Sequence, residues 1–79
     1  MNFDEAMGRA IGARSATAGI KSQAELARLA GMSPNTLSRF KQAGGNTSTL
    51  AKIAEALGVH SEDLMFDARE IMNNEGGEE

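Results

Sequence analysis

Residues 23–42 read QAELARLAGMSPNTLSRFKQ, two short helical patterns joined at one glycine, and their spacing decides how the chain folds. Ala27 stands four residues before Gly31 and Leu37 six after it, while Leu26, Ala30, Met32 and Phe40 supply the other apolar positions. A chain that reverses within about three residues needs a left-handed residue just past its last helical turn, and glycine takes that conformation without the Cβ penalty. Ala27, one turn earlier on the same face, leaves room for the second helix to approach, and Leu37 is the plug which that helix inserts. Both helices carry start signals. Ser22 followed by Glu25 reads as a capping box, and Ser33 followed by Pro34 reads as an N-cap with proline at the first helical position. The expected helices are Gln23 to Ala30 and Pro34 to about Lys41.

Working outward, Phe3, Met7, Ala10 and Ile11 recur at three- and four-residue spacing and predict a helix from Phe3 to Ala16, capped by Asn2 with Glu5. Gly8 and Gly12 each weaken such a helix by roughly 1 kcal/mol relative to alanine, so it depends on packing, or the glycines permit close approach. Gly19 stops it. After the polar turn Gln42-Ala43-Gly44-Gly45, Asn46 caps a fourth helix with an apolar stripe of Leu50, Ile53, Ala54 and Leu57 and a stop at Gly58. Ser61 is expected to cap a short fifth helix with Glu62 and Asp63 in its first turn, the charge sign a helix N-terminus prefers. A further helical stretch is expected from Asp67 to Asn73. The acidic tail NEGGEE, residues 74–79, has nothing apolar to bury and is expected to be disordered. Without strand alternation, hairpin or repeat, the fold class is all-α, a compact bundle of about five short helices forming one domain over residues 1–73. The expected core is Phe3, Met7, Ile11, Ile20, Leu26, Leu29, Met32, Leu37, Phe40, Leu50, Ile53, Leu57, Val59 and Leu64.

Seventy-nine residues make one domain near the lower end of what folds without disulfides or metal. The absence of cysteine and the single His60 leave no disulfide framework and no metal-ligand cluster, so neither metal nor other cofactor is expected. No nucleophile has a base at a meaningful spacing, which argues against an enzyme. The start, MNFDEAMGRA, lacks the order of a signal peptide, and no run approaches the ~20 apolar residues of a membrane span, so a cytoplasmic protein with no membrane partner is expected. The net charge of −3 is unevenly distributed. Between residues 8 and 52 seven Lys and Arg stand against the single Glu25, whereas from residue 53 to 79 eight acidic residues stand against Arg69. A basic segment containing the two-helix motif, followed by an acidic end, fits a nucleic-acid face backed by a solvated or partner-facing tail, although scattered charges on an ordinary helical surface remain the alternative.

Two short helices crossing at a glycine turn are the layout of a helix-turn-helix, whose second helix lies in the DNA major groove. From Ile20 to Leu64 the chain resembles the Cro and lambda-repressor class of helix-turn-helix domains, through SQAELARLAGMS, then TLSRF, then LAKIAEALGV, with SEDLMFDAREI similar to the segment that follows the fourth helix in phage repressor domains. The resemblance implies a sequence-specific transcription regulator, a repressor, that binds a near-palindromic operator on double-stranded DNA as a homodimer. It also implies a small stand-alone regulator acting through its own concentration, as do Cro and the controller proteins of restriction-modification systems. Two features depart from the family pattern. The connection KQAGGNTST after the third helix is shorter than usual, and Thr47 stands where an apolar residue is common. Such short connections also occur in antitoxins, which gives the alternative of a protein that holds its operator while its acidic end neutralizes a toxin partner. A helix-turn-helix used only for protein docking is a third reading, and it predicts no salt-dependent DNA binding.

By the same resemblance, Pro34, Asn35, Thr36 and Arg39 match the positions that face base edges. Asn35 suits adenine N6 and N7, Arg39 suits guanine O6 and N7, the Thr36 methyl suits a thymine methyl, and Pro34 offers apolar contact only. Gln23 matches a position that bonds a phosphate and steadies the recognition helix from behind. Ser33, Ser38, Lys41 and Gln42 are placed for backbone contacts, with Lys21, Arg14 and Asn46 as weaker candidates. The bland alternative for each is a solvated surface residue. Leu64, Met65, Phe66, Ile71 and Met72 give the acidic end more apolar surface than a five-helix core needs and are the expected dimer interface. The competing reading has Leu64 and Phe66 completing the monomer core.

Overall fold

The computed structural model describes residues 2–76 and contains five helices, α1 (Phe3–Thr17), α2 (Gln23–Ala30), α3 (Pro34–Ala43), α4 (Thr47–Leu57) and α5 (Ser61–Gly76). Each start is fixed by a side chain. Asn2 accepts from the Glu5 N–H at 2.8 Å while Glu5 accepts back from the Asn2 N–H at 3.3 Å, a complete capping box. Ser22 accepts from the Glu25 N–H at 3.1 Å, but the Glu25 carboxylate takes the Lys21 N–H rather than that of Ser22, so its reach extends one residue farther than a capping box requires. Ser33 and Asn46 cap α3 and α4 through the N–H groups of Thr36 and Thr49. A cap of this kind contributes about 1 kcal/mol.

Three helices end alike. The N–H groups of Ile20, Met32 and Val59 reach back to the carbonyls of Ser15, Ala27 and Ala54, and the glycine before each, Gly19, Gly31 and Gly58, has a positive φ. In this arrangement the residue after the glycine turns inward, and Ile20, Met32 and Val59 all pack against the core. All three are expected core residues. The turn chemistry puts them there.

The core runs from Ala6, Met7, Ala10 and Ile11 through Leu26, Ala27, Ala30, Leu37 and Phe40 to Leu50, Ile53, Ala54, Leu57, Leu64 and Ala68. Its alanines let short helices cross closely, and burying each large aliphatic side chain contributes about 1.5–3 kcal/mol. Gly8 marks a close α1–α3 crossing, because a Cβ there would lie 2.8 Å from the Lys41 carbonyl oxygen. Gly12 meets nothing within 4 Å, so close approach explains the first glycine only.

Two expected core residues lie elsewhere. Leu29 is 50% exposed, since Leu26, Ala27 and Ala30 already face inward on α2 and leave it on the outer side. Phe3, at the first turn of α1, is 40% exposed and lines a recess with Met7, Phe40, Leu50 and Met65. The fifth helix also differs from expectation. It is one continuous helix, because Leu64 and Ala68 are both buried and carry its inner face past Asp67 without a break. Ser61 is its first residue rather than its cap. The preceding His60 holds the cap position, its N–H donating to the Asp63 carboxylate at 2.9 Å. The helix continues beyond Asn73 to Gly76, and the rest of the expected tail, 77–79, lies outside the described residues.

Candidate nucleic-acid interface

Leu37 and Phe40 anchor the back of α3 in the core, so the helix presents its opposite side to solvent. Asn35 and Arg39 are exposed there, and Pro34 and Thr36 are exposed in the first turn at the two edges of the helix. The Thr36 hydroxyl shares a 3.0 Å hydrogen bond with the Ser33 hydroxyl, whose oxygen also caps the helix, leaving the Thr36 methyl as its free apolar element. Neither the Asn35 carboxamide nor the Arg39 guanidinium makes a hydrogen bond among the described residues. Their donors and acceptors therefore face solvent uncommitted, the state a base-reading group needs before it meets a groove.

The polar residues on the flank of α3 occupy a different place. Lys41 and Ser38 are half-buried, and Lys41 joins Lys21, Ser22 and Gln23 around a recess of about 200 Å³ floored by Gly12, Ile20 and Leu26. The N-terminus of α2 opens into this recess. Lys21 and Lys41 bring positive charge to its lining and the α2 N-terminus adds to it, set against the Glu25 carboxylate that accepts from the Lys21 N–H at 3.0 Å. The fold thus brings Gln23, Lys21 and Lys41 together, separate from the exposed front of α3.

The sequence profile of the Cro/C1-type HTH DNA-binding domain matches residues 13–67, more than half the chain and including both helices of the motif. The chain belongs to the Cro/C1-type helix-turn-helix family. Comparison with curated proteins and with solved structures returned no match. As a Cro/C1-type domain it is a DNA-binding module, and α2 and α3 are its helix-turn-helix. Among the described residues no helix is long and apolar enough to cross a membrane.

Several candidates in this Cro/C1-type domain have other duties. Arg14 is committed to α5: its Nε donates to Asp67 Oδ2 at 2.6 Å and its Nη2 to Asp67 Oδ1 at 3.2 Å. That hydrogen bond holds the guanidinium pKa above its ordinary value against desolvation, with smaller help from the charges of Asp67 and Asp63. The pair is partly exposed, so this bond gives Arg14 a structural role beside its expected place among the weaker phosphate candidates. The Asn46 oxygen is likewise occupied, accepting from both the N–H and the hydroxyl of Thr49.

On α5 the five expected interface residues separate. Leu64 is 0% exposed and completes the core, so it cannot meet a partner without unfolding the helix. Phe66 is 58% exposed. At about 100° per residue, Met65 and Met72 fall on one flank of Phe66 and Ile71 on the other, beside Asp67. Phe3 shares its recess with Met65 and so extends the Met65–Phe66 surface. Sequence periodicity counted Phe3 toward the core and gave no signal for this.

Proposed function

We propose that this domain is a sequence-specific transcription regulator, a repressor, that binds a near-palindromic operator as a homodimer with α3 in the major groove. The exposed front of α3 carries this reading: Asn35 and Arg39 stand free on a helix whose rear is fixed by Leu37 and Phe40. Asn35 would pair with adenine, Arg39 with guanine, and the Thr36 methyl and Pro34 would supply apolar contact to thymine. Gln23, Ser33, Ser38 and Lys41 would hold phosphates and set the register, Gln23 and Lys41 from the shared recess.

Dimerization through Met65, Phe66 and Met72, with Phe3 beside them, would place two α3 helices at successive major-groove half-sites, ~34–36 Å apart. The exposed Phe66 supports it. Glu62 and Glu70 flank Phe66 on the outward side of α5 together with Arg69, and a toxin partner with an apolar surface carrying basic groups for the two carboxylates would suit the same face.

Selection of bound sequences from random duplex DNA tests the proposal. A symmetric site with two half-sites supports a dimeric reader. Recovery of no preferred sequence would overturn it.

A further inference from the structure

The α3 helix runs to Ala43, two residues beyond the Lys41 end that the polar turn suggests, and this places Gln42 inside the helix. At about 100° per residue, Asn35, Arg39 and Gln42 lie within roughly 60° of one another on the side opposite Leu37 and Phe40. Lys41 falls to the flank and Ser38 to the edge of this face beside Gln42, and both are half-buried while Gln42 is exposed. The Gln42 carboxamide makes no hydrogen bond among the described residues. From Asn35 to Gln42 the helix rises ~10.5 Å.

We infer that Gln42 is a third base-reading residue, in line with Asn35 and Arg39, rather than a phosphate contact. A glutamine carboxamide offers one acceptor and two donors, which match N6 and N7 of an adenine in the major groove. A phosphate ligand is better served from the flank, where Lys41 and the α2 N-terminus already converge. This inference rests on the proposal that α3 is the reading helix.

The test is sequence selection from random duplex DNA with the wild-type chain, Gln42→Ala and Arg39→Ala, followed by affinities on the selected site and on each single-base-pair variant. Gln42 is exposed, so Gln42→Ala is expected to fold, as circular dichroism will report. It is expected to lose about tenfold discrimination at one base pair in each half-site, other than the pair affected by Arg39→Ala, with the remaining preferences intact. Uniform weakening on all sequences, or no change, would overturn the role of Gln42 while Arg39→Ala still alters one position. If Arg39→Ala and Gln42→Ala both leave every preference unchanged, the Gln42 inference falls together with the base-reading role of Arg39.

Discussion

Gly8 of α1 lies directly against the carbonyl oxygen of Lys41 in the last turn of α3, with only 2.8 Å between that oxygen and the place a residue-8 Cβ would occupy. The contact is backbone to backbone, so neither side can move aside cheaply. Gly8→Ala is expected to lower stability by about 1–3 kcal/mol, because the α1–α3 crossing must widen. The same change at Gly12, where nothing lies within 4 Å, is expected to raise it by about 0.5–1 kcal/mol through helix propensity alone. Thermal melts of the two variants should shift in opposite directions, and a common direction would remove the close-approach explanation.

The connection between α3 and α4 needs both of its glycines. Gly44 has φ +79° and sits where a Cβ would come within 2.7 Å of the Asp4 carboxylate, and a Cβ at Gly45 would lie 2.8 Å from the Phe40 ring. Gly44→Ala is expected to cost about 1–3 kcal/mol from backbone strain. Adding Asp4→Ala relieves the crowding but not the strain, so denaturant midpoints should show only partial recovery. Full recovery would mean that the backbone conformation carries no penalty.

Arg14 and Asp67 tie the basic segment of the chain to its acidic end. Arg14→Gln is expected to destabilize the packing of α5 on α1 while leaving the affinity for operator DNA, and its salt dependence, as in the wild type. If titrations at several salt concentrations instead show a shallower slope for Arg14→Gln, the guanidinium contacts phosphate and the pairing is incidental.

Leu64 and Phe66, two residues apart on α5, should behave oppositely. Leu64→Ala removes a fully buried side chain and is expected to destabilize the monomer by about 2–5 kcal/mol. Phe66→Glu, at an exposed position, is expected to leave the thermal melt of the monomer near the wild type and to abolish dimerization in sedimentation at micromolar concentration. A wild-type chain that sediments as a monomer and leaves an asymmetric footprint on DNA would contradict the dimer.

Much of this molecule is legible in its sequence, because the signals that fix it are local. Asn2, Ser22, Ser33 and Asn46 cap as their residue types predict, and Gly31 and Gly58 adopt the left-handed conformation that stops a helix. What escapes local reading depends on neighbors distant in the chain. Leu29 and Phe3 have core-forming side chains, yet α2 is already filled inward by Leu26, Ala27 and Ala30, and Phe3 sits at a rim. Gln42 reads as turn because two glycines follow, although Ala43 favors helix and the α1 contact at Lys41 steadies the last turn. At the candidate interface, spacing identifies the front of α3, but the sharing of one recess by Lys21, Gln23 and Lys41 emerges only from the packing of α1, α2 and α3 together.

The most direct measurement is the affinity for the selected operator relative to a scrambled duplex, compared among the wild-type chain, Arg39→Ala and Lys41→Ala. Arg39→Ala is expected to cost about 1–3 kcal/mol on the operator and to relax preference at one base pair, lowering the specificity ratio. Lys41→Ala is expected to weaken both duplexes alike and to leave that ratio unchanged. An unchanged specificity ratio in Arg39→Ala would contradict the reading of bases by the front of α3.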